Sequence, residues 1–529
     1  MFSASGWQRV ATAVWDFFAP RYTPGTMAPN VVAAIVAATT TLVCCLIFGP
    51  HLGMIAMMGA FVPFWESGRP LWARLRNSLL VTAAITVSMS AGVLVAPLRW
   101  AIVPFSVVAI VVCTVLYYAF LLTRGPSPVM MFYAAVLGTY FGSDPAVGWR
   151  MVGVTVFAAL LVSVLLLVPL AFAPRAPERR AIASARSAVE EYLRAGDDGP
   201  QARVLRNAAY QAMSNAWLTV QSAWPADRGE GYRDMVLELT NIERRLSAAV
   251  AGAESVLPEA HVEPVIVRPG WRWLLGHALR GSSVEWFTAW RMGLAAGIAG
   301  TISQVFGVGH PYWAILTSAI VINQWMDRVA ATRRAAHRTV GTLIGVGVVS
   351  VVACFHPTVW WAVAIVVVCM VVQYLLFPLN YALALAALTP MVLVSVGAAG
   401  GEELSGLGAD RFIDTVIGAF IAVAVAWGGS RFFPRRLVRS QSARAADAVA
   451  AVERLDAAHT PEGRRARAQL QYELTHHLSI LDRAIGDDPR LADLAHEEHR
   501  LADRGYRALA RAWCPRPAGE RCAEPAVSV

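Results

Sequence analysis

Seven side chains stand out by type and position in a chain whose long stretches carry no charge: Arg76, Arg150, Arg338 and Arg411, His51 and His310, and Asp414. A guanidinium holds carboxylates through several donors and stays charged at any physiological pH. An imidazole exchanges its proton near neutrality, and a carboxylate inside an apolar segment needs a partner or a pathway. Arg76 and Arg338 each open an apolar run, and so do Arg150 and Arg411. The four suit two positive rings, one at each mouth of a route for anions. His51 and His310 stand at equivalent breaks beside a proline, and Asp414 lies three residues beyond Arg411. These three suit proton sensing or relay. The same residues also fit plain structural roles: helix anchors and headgroup contacts for the arginines, break-capping for the histidines, and a local Arg411–Asp414 ion pair on one helix face.

Composition decides what such groups are embedded in. The 529 residues are 56% hydrophobic and only 15% charged, with a mean hydropathy of +0.49. That balance belongs to integral membrane proteins. All 45 basic residues are arginine. Without lysine there is no Walker A phosphate loop and no Schiff-base or kinase lysine. The net charge of +9 comes from arginines at the ends of apolar runs and in helical segments, not from an aromatic-interleaved patch, so nucleic acid is not an expected partner. Seven cysteines with no ligand spacing give neither a disulfide framework nor a zinc site. The histidines at 476–477 and in "HEEH" at 496–499 lack metalloprotease spacing and read as a solvated helix face. No nucleophile, base and orienting group come together, so neither an enzyme nor a cofactor is expected.

The elements that would position these groups are membrane helices. A span needs about 20 apolar residues. Uncharged stretches at 22–65 (two helices, broken at Gly49-Pro50), 77–98, 100–123, 125–143 and 151–174 give six spans. The stretches 292–326, 339–401 and 412–430 divide at "GVGHP", "HP" and "FPLN" into six more. The eighth span, 311–326, is short enough to be tilted or re-entrant. Polar Ala/Arg/Glu-rich stretches follow each set, amphipathic and helical, each expected to be a small bundle. With both termini in the cytoplasm, most loop arginines, including the burst Arg328, Arg333, Arg334 and Arg338, lie inside. The expected domains are an interfacial segment 1–29, a first six-helix repeat 30–174, a cytoplasmic helical domain 175–285, a second repeat 286–430 and a C-terminal cytoplasmic helical domain 431–529.

Four landmark pairs, Arg76/Arg338, Trp100/Trp360, Arg150/Arg411 and His51/His310, are separated by 259 to 262 residues. This suggests a duplication with both copies inserted the same way around an axis along the membrane normal. The segments "HPYWAILTSAIVI", the arginine-rich loop after it, and "RTVGTLIGVGVV" with Arg338, Gly341 and Gly345 resemble the fusaric acid resistance protein-like superfamily. That superfamily includes bacterial aromatic acid exporters and is related to plant aluminium-activated malate transporters. The resemblance implies export of small organic anions, often aromatic carboxylates, across an inner or plasma membrane. A passive anion channel of the same fold and a non-transporting membrane scaffold are the alternatives. The sequence names no envelope or cytoplasmic protein partner.

Overall fold

The computed structural model describes residues 15–20, 27–62, 68–120, 128–196, 199–222, 230–252, 268–307, 310–323, 328–355, 358–401, 403–429, 434–455 and 460–511. Among them every regular element is helical. The chain forms two compact units, Met1–Phe172 with Leu274–Pro434, and Ala173–Trp273 with Arg435–Val529. Most of the expected interfacial segment, with Trp7, Val10 and Val14, lies outside the described residues, as do Arg124, Trp325, Asp327, Glu402, Arg431 and the two tail cysteines.

The helices in order are α1 (Met27–Phe48), α2 (Pro50–Ile55), α3 (Met57–Ala60), α4 (Leu71–Val95), α5 (Ile102–Phe120), α6 (Val129–Phe141) and α7 (Gly148–Phe172). The first polar segment then gives α8 (Ala176–Ala195), α9 (Pro200–Gln221) and α10 (Glu230–Ala251). After the short α11 (Trp271–Ala278) come α12 (Val284–Phe306), α13 (Pro311–Ile322), α14 (Arg328–Cys354), α15 (Val359–Leu376), α16 (Tyr381–Gly400) and α17 (Leu404–Gly429). The last polar segment gives α18 (Pro434–Arg454), α19 (Pro461–Asp487) and α20 (Ala495–Arg511).

Among the described residues eight helices are long and apolar enough to cross a membrane, where the uncharged stretches suggest twelve. The difference lies in length for three of the spans and in polarity for α12. α6 and α13 have 13 and 12 residues, and at 1.5 Å per residue they reach roughly 20 Å, short of a hydrocarbon core of about 30 Å. The expected second span is broken into α2 and α3, and α12 carries Glu285 and Arg291 in its first turns. The chain is a multi-pass membrane protein: Leu46, Val87, Val164, Val351, Val368 and Phe420 all turn outward and are exposed, an arrangement that calls for lipid rather than water.

The short helices are the enclosed ones. α3 and nearly all of α13 are buried, and α16 is buried over most of its length. A helix surrounded by others must approach them closely, and small residues permit it. A Cβ on Gly341 of α14 would stand 2.5 Å from the Ala382 carbonyl oxygen of α16, and one on Gly418 of α17 would stand 2.6 Å from the Ala314 carbonyl oxygen of α13. Packing recurs between the halves. α4 lies on α6 and α7 as α14 lies on α16 and α17, and α1 lies on α2 and α7 as α12 lies on α13 and α17. Crosswise, α1 meets α15 as α12 meets α5, and α2 meets α16 as α13 meets α6.

The polar segments, expected as two separate bundles, share one hydrophobic core. Val189, Trp217, Leu239 and Leu246 from the first cluster with Val449, Leu470, Leu474 and Tyr506 from the second. Three amphipathic helices leave an apolar face uncovered, and here the other three cover it. His477, expected on a solvated face, is buried against Glu498, with its Nε2 3.2 Å from a carboxylate oxygen. Trp217 Nε1 donates to Glu243 at 3.2 Å, and burial pushes the Glu243 carboxyl above its ordinary range, opposed by that hydrogen bond and by Arg467. Arg206 of α9 pairs with Asp503 of α20, and its guanidinium lies 5.0 Å from the centre of the Tyr506 ring. Arg206→Met removes this tie between the two segments and strands a partly buried carboxylate. Thermal unfolding of the full chain in detergent should show a loss of about 2 kcal/mol.

Candidate functional site

The residues that could do chemistry converge where α13, α14 and α17 meet. α14 carries Arg338, which is 2% exposed. Its Nε donates to Thr317 Oγ1 of α13 at 3.2 Å and its Nη1 to the Tyr381 hydroxyl of α16 at 3.3 Å. α17 carries Arg411, 3% exposed, with its guanidinium carbon 5.2 Å from the centre of the fully buried Trp313 ring. Arg411 Nε and Nη1 are buried with no hydrogen-bond partner. The two cations are near enough to act on each other, and both act on the Tyr133 hydroxyl of α6. From Met131 to Phe141 every residue of α6 is buried except Tyr133 and Tyr140. Seven positions apart, these two share one helix face. Thus the first membrane half adds two aromatic hydroxyls, Tyr133 and Tyr140, to those of Tyr312 and Tyr381.

Helix ends build the other side of the site. α13 starts at Pro311, whose ring suits a first helical turn, and the His310 backbone N–H that precedes it donates to Asp414 at 2.6 Å. The second Asp414 oxygen accepts from Ser303 Oγ of α12 at 2.8 Å. The expected Arg411–Asp414 ion pair is therefore not the bond Asp414 makes. The His310 backbone N–H at the start of α13 and the Ser303 hydroxyl take the carboxylate instead. His310 Nδ1 lies 3.3 Å from Asp410, and its ring packs against Tyr140, Tyr312 and Trp313 at centroid distances of 5.5, 5.6 and 5.1 Å. His51 is not part of this cluster. It is exposed, with Nδ1 2.6 Å from the Ala398 carbonyl oxygen of α16.

The two-ring arrangement of arginines does not appear as an equivalence. Arg76 and Arg150 are exposed, whereas Arg338 and Arg411 are buried. Arg76 Nε reaches only its neighbour Asn77, at 3.4 Å. The reason is register. Buried Gly341, Thr342, Gly345 and Val349 match buried Val81, Thr82, Ile85 and Met89, and buried Asp414, Thr415 and Ala419 match Val154, Thr155 and Ala159, all at an offset of 260. At that offset Ser78 and Met151 stand opposite Arg338 and Arg411. Arg150 is one residue out of that register and Arg76 is two; each step turns a side chain by about 100° around a helix, which carries it from the interior to the outside.

Thr317, Tyr133 and Tyr140 complete the site although no charge marks them. Thr317 lies within "HPYWAILTSAIVI", and all three carry a hydroxyl in a strongly apolar segment. Of the other aromatics that could stack on a ligand, Phe61, Tyr117, Phe132 and Tyr374 are buried in packing, and Phe64 and Trp65 lie outside the described residues.

Residues 298–425 match the model of the fusaric acid resistance protein-like family. That stretch contains His310, Trp313, Thr317, Arg338, Tyr381, Arg411 and Asp414. This region of the chain is similar to the fusaric acid resistance protein-like family. The inner membrane protein YccS of Escherichia coli (strain K12) is 32% identical over 159 residues, which cover 29% of this chain and 22% of the relative. The chain thus aligns with under a quarter of that protein's length. No solved structure matches the chain.

Proposed function

We propose that this protein is a secondary exporter of small organic acids, chiefly aromatic carboxylates, from the cytoplasm across an inner membrane, with both termini cytoplasmic. In this reading twelve membrane spans, three of them short or broken, form two parallel six-helix repeats around a shared axis, and the recurring packing and the 260-residue burial offset support it. The observation that carries the proposal is the buried pair Arg338 and Arg411, with two Arg411 nitrogens unpartnered. An isolated charge within a membrane span costs about 2.5–3.5 kcal/mol on insertion scales, and an anion passing between the two guanidinium groups offsets that cost. Trp313, Tyr140 and Tyr312 supply faces on which an aromatic ring can stack.

The driving force is the electrochemical gradient. An anion leaving an inside-negative cell gains about 2.3 kcal/mol per charge per 100 mV. In this reading His310 and Asp414 are the groups assigned to a coupling proton, with the Asp414 carboxylate bonded to the His310 backbone N–H and the imidazole facing Asp410. A passive organic-anion channel is the second reading, favoured by the two bonds that already hold Asp414. The test is an accumulation and resistance screen of deletion and overexpression cells against aromatic and aliphatic acids, with and without an uncoupler. Efflux that survives the uncoupler selects the channel. Arg338→Gln lowers efflux at least about tenfold at unchanged abundance, the effect of losing a charge-assisted contact. Arg76→Gln and Arg150→Gln, on exposed faces, stay within about twofold of the native rate. Equal losses in all four arginine variants would restore the two-ring arrangement, and no loss in any would leave a scaffold.

A further inference from the structure

The anion site proposed above has a countable charge, and the count limits what it can hold. Two buried guanidinium groups face it, Arg338 and Arg411, together with one buried carboxylate, Asp414. Asp414 accepts one hydrogen bond on each oxygen, from Ser303 Oγ at 2.8 Å and the His310 backbone N–H at 2.6 Å, and donors of this kind favour the ionised form. The same two bonds hold it clear of a direct ion pair, so Arg411 keeps its open nitrogens while Asp414 cancels one of the two charges. The other titratable groups do not alter the balance. His310 and Asp410 face each other at the more open end, with side chains 23% and 36% exposed, where water screens them. Tyr133 is an uncharged phenol. His337, beside Arg338, turns its ring to Phe17, with the centroids 4.2 Å apart. Arg291 lies twelve residues before Ser303 on α12, roughly 18 Å along the helix.

The buried balance is one positive charge. We infer that the site accepts monoanions and rejects dianions of the same shape, and that Asp414 is the residue that sets this limit. A monoanion brings the interior to neutrality. A dianion leaves one negative charge uncompensated away from water, which is the costly condition. Asp414→Asn keeps an oxygen to accept from Ser303 or His310, raises the balance to two, and moves the preference to dianions.

Benzenesulfonate and benzene-1,3-disulfonate test this, since both share one ring and stay ionised at every accessible pH. Binding of each to the purified full chain in detergent is measured by titration calorimetry at fixed ionic strength. The native chain should bind the monosulfonate at least about tenfold more tightly, and Asp414→Asn should reverse the order. A native chain that prefers the disulfonate, or an Asp414→Asn variant with the native ratio, overturns the inference and leaves the anion site standing. If the native chain binds neither probe, or if Arg411→Gln binds both as the native chain does, the anion site itself falls. The native ratio needs no variant, so poor folding of Asp414→Asn does not shield the inference.

Discussion

Arg411→Gln abolishes anion efflux, lowering it by about a hundredfold or more, and leaves the thermal stability of the chain equal to or above that of the native protein. The two halves of this expectation come from the same geometry. Arg411 is 3% exposed, two of its nitrogens are buried without hydrogen-bond partners, and its close neighbours include a second cation. Such a group is poorly matched to its own fold, so replacing it with a neutral amide removes a desolvation cost. Hydrogen bonds to a charged group contribute about 1.5–3 kcal/mol each, and losing two from a bound anion corresponds to a factor of at least a hundred at 1.4 kcal/mol per tenfold. Efflux from loaded cells and melting in detergent, measured on the same preparation, check both halves. A guanidinium that served only to anchor α17 would give the opposite pattern, lower melting with efflux intact.

Gly418→Val prevents the membrane unit from assembling. The first added carbon would stand 2.6 Å from the Ala314 carbonyl oxygen, 2.8 Å from Thr317 Cβ and 3.1 Å from the Ser318 nitrogen. Two of these are backbone atoms of α13, which is buried on nearly every side and has no room to retreat. The expected cost exceeds about 4 kcal/mol, the range reserved for severe core strain, and the chain should fail to accumulate in the membrane. Gly418→Ala is the graded version. It pushes α13 from α17, shifts Thr317 away from Arg338, and lowers efflux in cells that still contain protein. Gly347→Ala serves as the comparison: a Cβ there meets nothing within 4 Å, and its melting should stay within about 1 kcal/mol of native. Abundance on membranes and melting of the three variants decide the matter, and equal behaviour of Gly418→Ala and Gly347→Ala would refute the close-packing account.

Helix identity could be read from the sequence because a segment apolar on every face has no stable place in water. The uncharged stretches 77–98 and 100–123 become α4 and α5 with ends displaced by a few residues. Helix length could not be read in the same way. The short eighth span, 311–326, begins where α13 begins, at Pro311, but α13 ends at Ile322 and Asn323 caps it, because absence of charge does not mark where a helix stops. Charges in apolar runs are conspicuous, so Arg338, Arg411 and Asp414 stood out in the sequence, and all three are buried. Their partners did not stand out. Tyr381 lies 43 residues beyond Arg338, and Ser303 lies 111 before Asp414; no spacing along a single helix encodes contacts of that kind. Pairing Arg338 with Arg76 relied on residue type at a similar offset, and burial shows that the register of the interior was needed instead.

The shared core of the polar unit also bears on biosynthesis. Trp217, Leu239 and Leu246 emerge from the ribosome on the order of 200 residues ahead of Leu470, Leu474 and Tyr506, which cover them in the finished protein. At about 5–20 residues per second that interval is tens of seconds. Throughout it the nascent chain carries an uncovered apolar surface while α12 to α17 are still being made. A holdase bound to α8–α10 on stalled ribosomes, and released once α19 and α20 are synthesised, is the behaviour this topology imposes.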